Sequence, residues 1–344
     1  MPVLLSDYDY ELPDERIAQT PVEPRDSARL LCVDRATGSL TDRVFRELPT
    51  LLSPGDLLVL NETRVSAVRL FGTLPSGGEL EALLLRPAIE KGENVYEALV
   101  RPGKKVREGV CLHFADAGLE AESIGVTESG GRFLRFFGDD VAASLERTGR
   151  VPLPPYITET LTNPERYQTV YAKTPGSAAA PTAGLHFTPA LLDQVQSMGV
   201  YIARVRLDVG LGTFRPVRVD DVTQHVMHSE TFAVSAEAAE AVNACKGRVI
   251  AVGTTSLRAL ESAALQAEPG KRVAVCDGAT DIFIYPGHEF KAVDGLITNF
   301  HQPHSTLLLL VGALLGRELI KNAYNRALAN DYRFLSFGDA MFIF

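Results

Sequence analysis

The residues whose types and spacing suit chemistry gather first in the stretch 171–192, YAKTPGSAAAPTAGLHFTPALL. Charge is nearly absent there, small residues dominate from Gly176 to Gly184, and His186 follows at once. Thr188 before Pro189 reads as an N-cap followed by proline in the first helical position. A small-residue loop that feeds a helix start lets backbone N–H groups approach a polar or anionic ligand. His186 is its one ionisable candidate, as a base or a hydrogen-bond partner. The same composition also suits a tight crossing between packed elements.

Five further segments carry polar groups at turns. In GLGTFRPV (210–217), Gly212 and Thr213 offer close backbone approach, or simply a turn after a strand. HVMHSE (225–230) brings two histidines and Glu230 together, but not in HExxH order, so no metal site is expected. Asp208 and Glu230 are candidate acid–base or hydroxyl-binding carboxylates. VIAVGTTSLR (249–258) runs from an apolar strand through a glycine and three hydroxyls into a helix. Such a turn at the C-terminal end of a strand is a favoured ligand position in α/β folds, and its donors suit a carboxylate or ribose hydroxyls. It has neither GxGxxG nor the P-loop lysine, which leaves dinucleotide and nucleotide-triphosphate sites unsupported. TDIFIYPG (280–287) supplies Asp281. ITNFHQPHST (297–306) places Asn299 and His301 before an apolar helix that Ser305 or Thr306 could cap. In YRFLSFGDAM (332–341), Phe337 could stack on a base, or the segment could dock the C-terminus onto the core.

The elements that must position these groups show two textures. From about Val68 to Phe137, short alternating runs (VRLFGTL, ELEALLL, VYEALV, GVCLHF, RFLRFF) are separated by turn residues, which predicts a small antiparallel sheet or barrel. Its tip RPGKKVR (101–107) holds Arg101, Lys104, Lys105 and Arg107, as a solvated turn or an RNA-backbone contact. After the proline-rich VPLPPYI (151–157), strand-like and helical patterns alternate: strands at 200–207, 248–252 and 282–285, and helices at 235–245, 256–266, 305–315 and 316–329. That is α/β texture. The arrangement expected is an α/β main domain from residues 1–55 and 151–344, with a β domain inserted at 56–150. Near the start, Arg25, Asp26 and Arg29 read as a surface ion-pair cluster or a ligand-facing edge.

With 344 residues, 46% hydrophobic and 22% charged, the chain has the composition of an ordinary globular protein with room for a sizeable core. A net charge of −9 excludes a global basic field, so any RNA contact must be a local patch. Cys32, Cys111, Cys245 and Cys276 form no CxxC pair, which argues for a reducing compartment. The opening MPVLLSDYDYELP has no basic, apolar leader, and the longest apolar run, 307–315, is too short to span a bilayer. A cytoplasmic protein with no membrane partner is expected.

Taken together, SDYDYELPDERIAQTP, NETRV, ERYQTVYAKTPGSAAAPTAGLHFT, GLGTFRPV, MHSE, GTTSLRALES, TDIFIYPG, LITNFHQPHSTLLLLVGAL and YRFLSFGDAM resemble the S-adenosylmethionine:tRNA ribosyltransferase-isomerase family of queuosine biosynthesis, in order and over nearly the whole chain. The resemblance implies a mixed-sheet α/β main domain with an inserted antiparallel β-barrel domain. It implies transfer and isomerisation of the ribosyl part of S-adenosylmethionine onto a 7-aminomethyl-7-deazaguanine base, at the wobble position of tRNAs that have G there. Epoxyqueuosine-tRNA, adenine and methionine would result. S-adenosylmethionine would be a consumed substrate, with no cofactor and no metal, and the protein a monomer.

Such chemistry needs a base near the acidic 5′ carbon, groups for the ribose hydroxyls, and a dry enclosure. His186 is the expected base, with Glu230 and Asp281 as rivals. Thr182, Gly184, Gly212, Thr213, Thr254, Ser256, Arg258, Asn299, His301 and Phe337 are the expected substrate contacts. Arg64, Arg101, Lys104, Lys105 and Arg107 are the expected tRNA contacts, with Arg69 beside them. The chain departs from the family pattern at Asp208, where His is expected, and at Gln302 and His304, where Leu and a basic residue are expected. Competing readings are an RNA-binding protein without activity and a methyltransferase.

Overall fold

The structure, a computed structural model, describes residues 3–127, 130–210 and 216–344. The chain forms two compact units, one of Met1–Thr63, Pro154–Thr174 and Ala180–Phe344, the other of Arg64–Leu153 and Pro175–Ala179. In chain order the strands are β1 (Arg29–Val33), β2 (Leu40–Val44), β3 (Leu57–Asn61), β4 (Thr63–Val65), β5 (Val68–Thr73), β6 (Glu79–Pro87), β7 (Val95–Arg101), β8 (Cys111–Phe114), β9 (Leu119–Val126) and β10 (Arg132–Phe137). Helix α1 (Val141–Thr148), β11 (Thr174–Ser177), α2 (Pro189–Ser197), β12 (Tyr201–Leu207), β13 (Glu230–Val234) and α3 (Ala236–Ala244) follow. The chain ends with β14 (Val249–Val252), α4 (Thr254–Ala264), β15 (Cys276–Thr280), β16 (Gly295–Asn299), α5 (Thr306–Leu315), α6 (Arg317–Ala329) and β17 (Ala340–Ile343).

The first unit is built on a nine-stranded mixed sheet in the order β15-β13-β12-β3-β14-β16-β17-β1-β2. Its centre is parallel: β3 pairs with β12 on one side and β14 on the other, and β14 pairs with β16. LLVL in β3, VIAV in β14 and all five residues of β16 are buried. Continuous apolar runs of this kind are what a parallel sheet covered on both faces requires. Leu58, Leu60, Ile250, Val252 and Ile297 pack with Phe187, Leu191 and Val195 of the segment that leads into and through α2. α4 packs against β12, β13 and β14. The mixed α/β architecture is therefore the one expected.

The second unit is a closed six-stranded antiparallel barrel in the order β10-β7-β6-β5-β8-β9. The period-two runs fill it from within: Leu70, Leu80, Ala82, Leu84, Ala98, Leu112, Phe114, Ala121, Leu134 and Phe136 share one buried cluster. Asp140 caps α1 by accepting from Ala143 N at 2.9 Å, and Val141 and Leu145 join the same cluster.

Several elements differ from their sequence reading. The division expected after residue 55 falls at Thr63/Arg64, because β3 is a central strand of the main sheet. Residues 282–285 are not a strand; the strand is the preceding, less apolar β15, paired with β13 at the sheet edge. Phe283 and Tyr285 instead pack with Val217, Val222 and Leu309 in a satellite cluster. The C-terminal segment docks and adds a strand, since β17 inserts between β16 and β1. Arg25, Asp26 and Arg29 do not pair with one another. Arg25 donates to the carbonyls of Glu165, Gln168 and Leu185, Asp26 faces Arg46 at 3.8 Å, and Arg29 stacks on Tyr332.

Candidate active site

A cleft of about 810 Å³ opens where the parallel strands end. Val209 after β12, Gly253–Thr255 after β14, and Thr298–Pro303 at and after β16 form much of its wall. Ala180–Ala183, Tyr156, Leu335 and Ser336 complete much of the rest. This is the ligand position of open α/β sheets, outside the carboxyl ends of the strands. None of the described lining residues is Asp, Glu, Lys or Arg.

Each wall is held by local chemistry. Asn61 ends β3 and clamps β12 beside it, accepting from Leu207 N at 3.1 Å and donating to Leu207 O at 2.8 Å. The hydroxyl turn read in GTTS is the first turn of α4. Gly253 stands before it with φ of +89° and ψ of 152°, a conformation open only to glycine, and donates to Ile297 O at 2.7 Å. Ser305 caps α5 through Leu308 N at 3.1 Å, and Thr188 caps α2 through Leu191 N at 3.1 Å, as their sequence positions predict.

Residues 182–186 of the small-residue stretch form a single 3-10 turn. Thr182 Oγ1 donates to Asn299 Oδ1 at 3.1 Å, and Asn299 Nδ2 donates to Leu335 O at 3.2 Å and to His186 Nε2 at 3.3 Å. Asn299 thus joins Thr182 at the cleft to His186 behind it. His186 does not line the cleft; it lines a smaller cavity with Arg25, Arg166, Ser336 and Phe337. Its ring lies 5.0 Å from that of Phe45. Burial, with Arg333 and Arg25 nearby, pushes the imidazole down to about 3, so it is neutral at pH 7. Phe337 is buried edge-on to Tyr167 at 5.8 Å, beside this smaller cavity.

Gly184 is needed for room. A Cβ there would stand 2.0 Å from Tyr171 Oη and 2.8 Å from Thr169 Cγ2. Gly184→Ala is expected to cost about 1–3 kcal/mol by overpacking. Urea denaturation would measure this, and a loss within about 0.5 kcal/mol, the range of a neutral surface change, would refute it.

The remaining expected residues are scattered more widely. His301 lines the cleft; its Nε2 meets Thr298 Oγ1 at 2.8 Å, and burial pushes its imidazole down to about 3. Tyr10 Oη donates to His301 O, and His301 N donates to Tyr324 Oη at 3.0 Å. Thr254 lines the cleft, whereas the Ser256 hydroxyl is turned back onto Val252 O at 2.8 Å. Glu230 and Arg258 form a buried ion pair with each other. The second carboxylate oxygen of Glu230 accepts from Gly210 N at 2.8 Å, and Arg258 Nε donates to Ile282 O at 3.3 Å. Asp281 is exposed, just beyond β15. Gly212 and Thr213 lie outside the described residues.

Arg101, Lys104, Lys105 and Arg107 are all exposed at the barrel tip, and Arg64 is half-buried. Arg69 pairs with Glu81 at 3.0 Å. No group of three or more His, Cys, Asp or Glu side chains that could hold a metal is found among the described residues. No helix among them is long and apolar enough to cross a membrane.

The sequence reading did not single out Tyr156, Leu335 or Ser336. Tyr156 Oη and Ser336 Oγ hydrogen-bond at 2.7 Å on the cleft wall. Tyr156 was masked by its proline-rich surroundings, and no local pattern marks a wall residue contributed by a distant loop. At the three departures, Asp208 accepts from Thr63 Oγ1 at 2.8 Å, and burial raises its carboxyl. Gln302 lines the cleft, and His304 Nε2 lies 3.0 Å from Asp9.

The family model described as "Queuosine biosynthesis protein" matches residues 5–343. A protein of Symbiobacterium thermophilum named S-adenosylmethionine:tRNA ribosyltransferase-isomerase is 56% identical over 344 residues, covering 98% of this chain and 99% of its own length. One of the same name from Desulfitobacterium hafniense is 53% identical, with the same coverage. The crystal structure of S-adenosylmethionine tRNA ribosyltransferase from Thermotoga maritima is 38% identical, covers 98% of this chain and 100% of its own, and superposes with a TM-score of 0.56. With one family model spanning nearly every residue and full-length relatives above half identity, the chain belongs to the queuosine biosynthesis protein family.

Proposed function

We propose that this chain transfers and isomerises the ribosyl moiety of S-adenosylmethionine onto the 7-aminomethyl-7-deazaguanine wobble base of tRNA. The product is epoxyqueuosine-tRNA, with adenine and methionine released. The observation that carries the reading is the cleft at the strand ends, walled in large part by residues 180–183, 253–255, 298–307 and 335–336, in a chain that the family model matches over residues 5–343. S-adenosylmethionine is a consumed substrate, and no separate cofactor is required. The protein acts as a cytoplasmic monomer.

The lining suits a substrate that is cationic at sulfur. Among the described residues it has no lysine or arginine to repel a sulfonium, and its apolar groups, Ala180, Pro181, Ala183, Phe300 and Leu335, exclude water from a reactive intermediate. Thr182, Thr298 and Asn299 offer hydroxyl and amide groups to the ribose. Three groups compete for the proton-accepting step. His186 is joined to the cleft through Asn299, Glu230 is held by Arg258, and Asp281 is open to solvent. Single-turnover rates of His186→Gln, Glu230→Gln and Asp281→Asn select among them. Loss of the base lowers the chemical step by about 10²–10⁴-fold with substrate binding retained.

The reaction is tested by incubating the protein with S-adenosylmethionine and tRNA bearing the aminomethyl base, then analysing nucleosides by mass spectrometry. A cyclopentane-diol epoxide on the base, with free adenine, is expected. Release of S-adenosylhomocysteine would establish a methyltransferase, and an unchanged base a binding protein. For the tRNA, the exposed barrel tip is the proposed backbone contact. Lys104→Glu with Lys105→Glu is expected to weaken tRNA binding by about tenfold or more at low salt, because phosphate contacts turn repulsive. S-adenosylmethionine affinity should not change; equal loss of both would remove the tip from the tRNA site.

A further inference from the structure

We infer that the open N-terminus of α4 is an anion subsite of the cleft, and that it takes the amino-acid carboxylate of S-adenosylmethionine. The inference rests on the proposed reaction for the identity of the ligand, but the site itself is argued from the fold.

α4 begins after Gly253, which has no side chain to cap it, and no side-chain cap is made. The first intrahelical bond back to this point is Leu257 N to Gly253 O at 3.2 Å. The amides of Thr254, Thr255 and Ser256 therefore precede the helical ladder and carry its positive end. α5 also starts at the cleft, but Ser305 closes it, so α4 is the open helix start of the two.

A second observation points the same way. Thr254 is 7% exposed, lines the cleft, and its hydroxyl has no hydrogen-bond partner among the described residues. Thr255 also lines the cleft; its Oγ1 is buried without a partner and would lie 3.5 Å from a Cβ on Gly253. A buried hydroxyl is costly to leave unpaired, so that of Thr255, with the unpaired hydroxyl of Thr254 beside it at an open helix end, marks a place shaped for an acceptor. Ser256 is excluded because its hydroxyl is already bonded to Val252 O.

The ligand's charges then choose its orientation. S-adenosylmethionine carries a sulfonium, an ammonium and one carboxylate. Among the described lining residues no side chain is charged, and the helix end brings positive potential to the cleft. It attracts the carboxylate and repels the two cationic groups. The methionine end is thereby turned toward α4. Ala183, whose Cβ would lie 3.7 Å from a Cβ on Gly253, brings the 182–186 turn against the same helix start.

The test compares S-adenosylmethionine with its decarboxylated analogue by calorimetric titration without tRNA, which keeps nucleic-acid phosphate out of the measurement. The parent protein is expected to prefer S-adenosylmethionine by about tenfold or more, the range of charge-assisted hydrogen bonds. Thr254→Ala should shrink that preference. Thr255→Asp places a carboxylate in the first turn, which favours the helix and so preserves folding. It should abolish the preference, because the new carboxylate repels that of S-adenosylmethionine and not the decarboxylated analogue. Equal affinity of the parent for the two ligands would overturn the subsite and leave the proposed reaction standing. So would a preference unchanged in both variants. Failure of the folded parent to bind either ligand would remove the reaction and the subsite together.

Discussion

Arg258→Met is expected to lose about 3–5 kcal/mol of stability, because it leaves a buried carboxylate without its guanidinium. Arg258 and Glu230 are 3% and 5% exposed, and they bridge α4 to the start of β13. Glu230 also holds the amide of Gly210, next to the cleft residue Val209. The pair therefore fixes the segment that leaves β12 against the helix whose first turn walls the cleft. A buried ion pair is weak evidence for stability as such, since well-packed apolar groups often do as well. Breaking one side is different, because the remaining charge cannot reach water. The double variant Glu230→Gln with Arg258→Met removes that charge and should lose less than Arg258→Met alone. Urea midpoints for the four proteins measure the coupling. A single variant within about 1 kcal/mol of the parent, below the cost of an orphaned buried charge, would show that Glu230 finds water or another partner.

This pair also marks where the sequence stops being legible. Glu230 and Arg258 stand 28 residues apart, and each has a chemical reading of its own, one as a carboxylate base and one as an anion ligand. Only the pairing of β12 with β13 and the packing of α4 on both bring them together. The same holds for the path from Thr182 through Asn299 to His186, which spans 117 residues between its first two members. By contrast, local rules placed the capped starts of α2, α3 and α5 within a residue, because a Ser or Thr before an apolar run has one main use. The barrel was legible because alternation reports one buried face. The order of the main sheet was not, since fully apolar strands such as β3 and β14 carry no mark of their neighbours. β15 was missed because CDGAT is polar and lies at a sheet edge, while the more apolar residues 282–285 satisfy their side chains in a satellite cluster.

Acid should destabilise the protein well above the carboxylate range, through His186 and His301. Both are buried and pushed down to about 3, against about 6.5 in an unfolded chain. Between these values the unfolded chain binds protons that the native protein does not, so stability rises with pH there and is lost as pH falls. The stabilisation is complete above about pH 6.5, and at pH 4 each histidine costs about 3 kcal/mol. Together they remove much of the roughly 5–15 kcal/mol of a typical domain. His225, lowered by partial burial, adds in the same direction. Asp208 and Asp339 act oppositely, since burial raises both and the native state takes up their protons first. Asp42 and Asp56 are held low by Arg326 and Arg248 and act only below the ordinary carboxylate range. The histidine contribution is isolated by substitution. His186→Gln and His301→Gln should each flatten the fall in urea midpoint between pH 7 and 4, even where they lower stability at pH 7. Parallel profiles for parent and variants would mean that the two imidazoles are protonated in the native protein. His186 would then carry a proton beside Asn299, and its role at the cleft would be that of an acid.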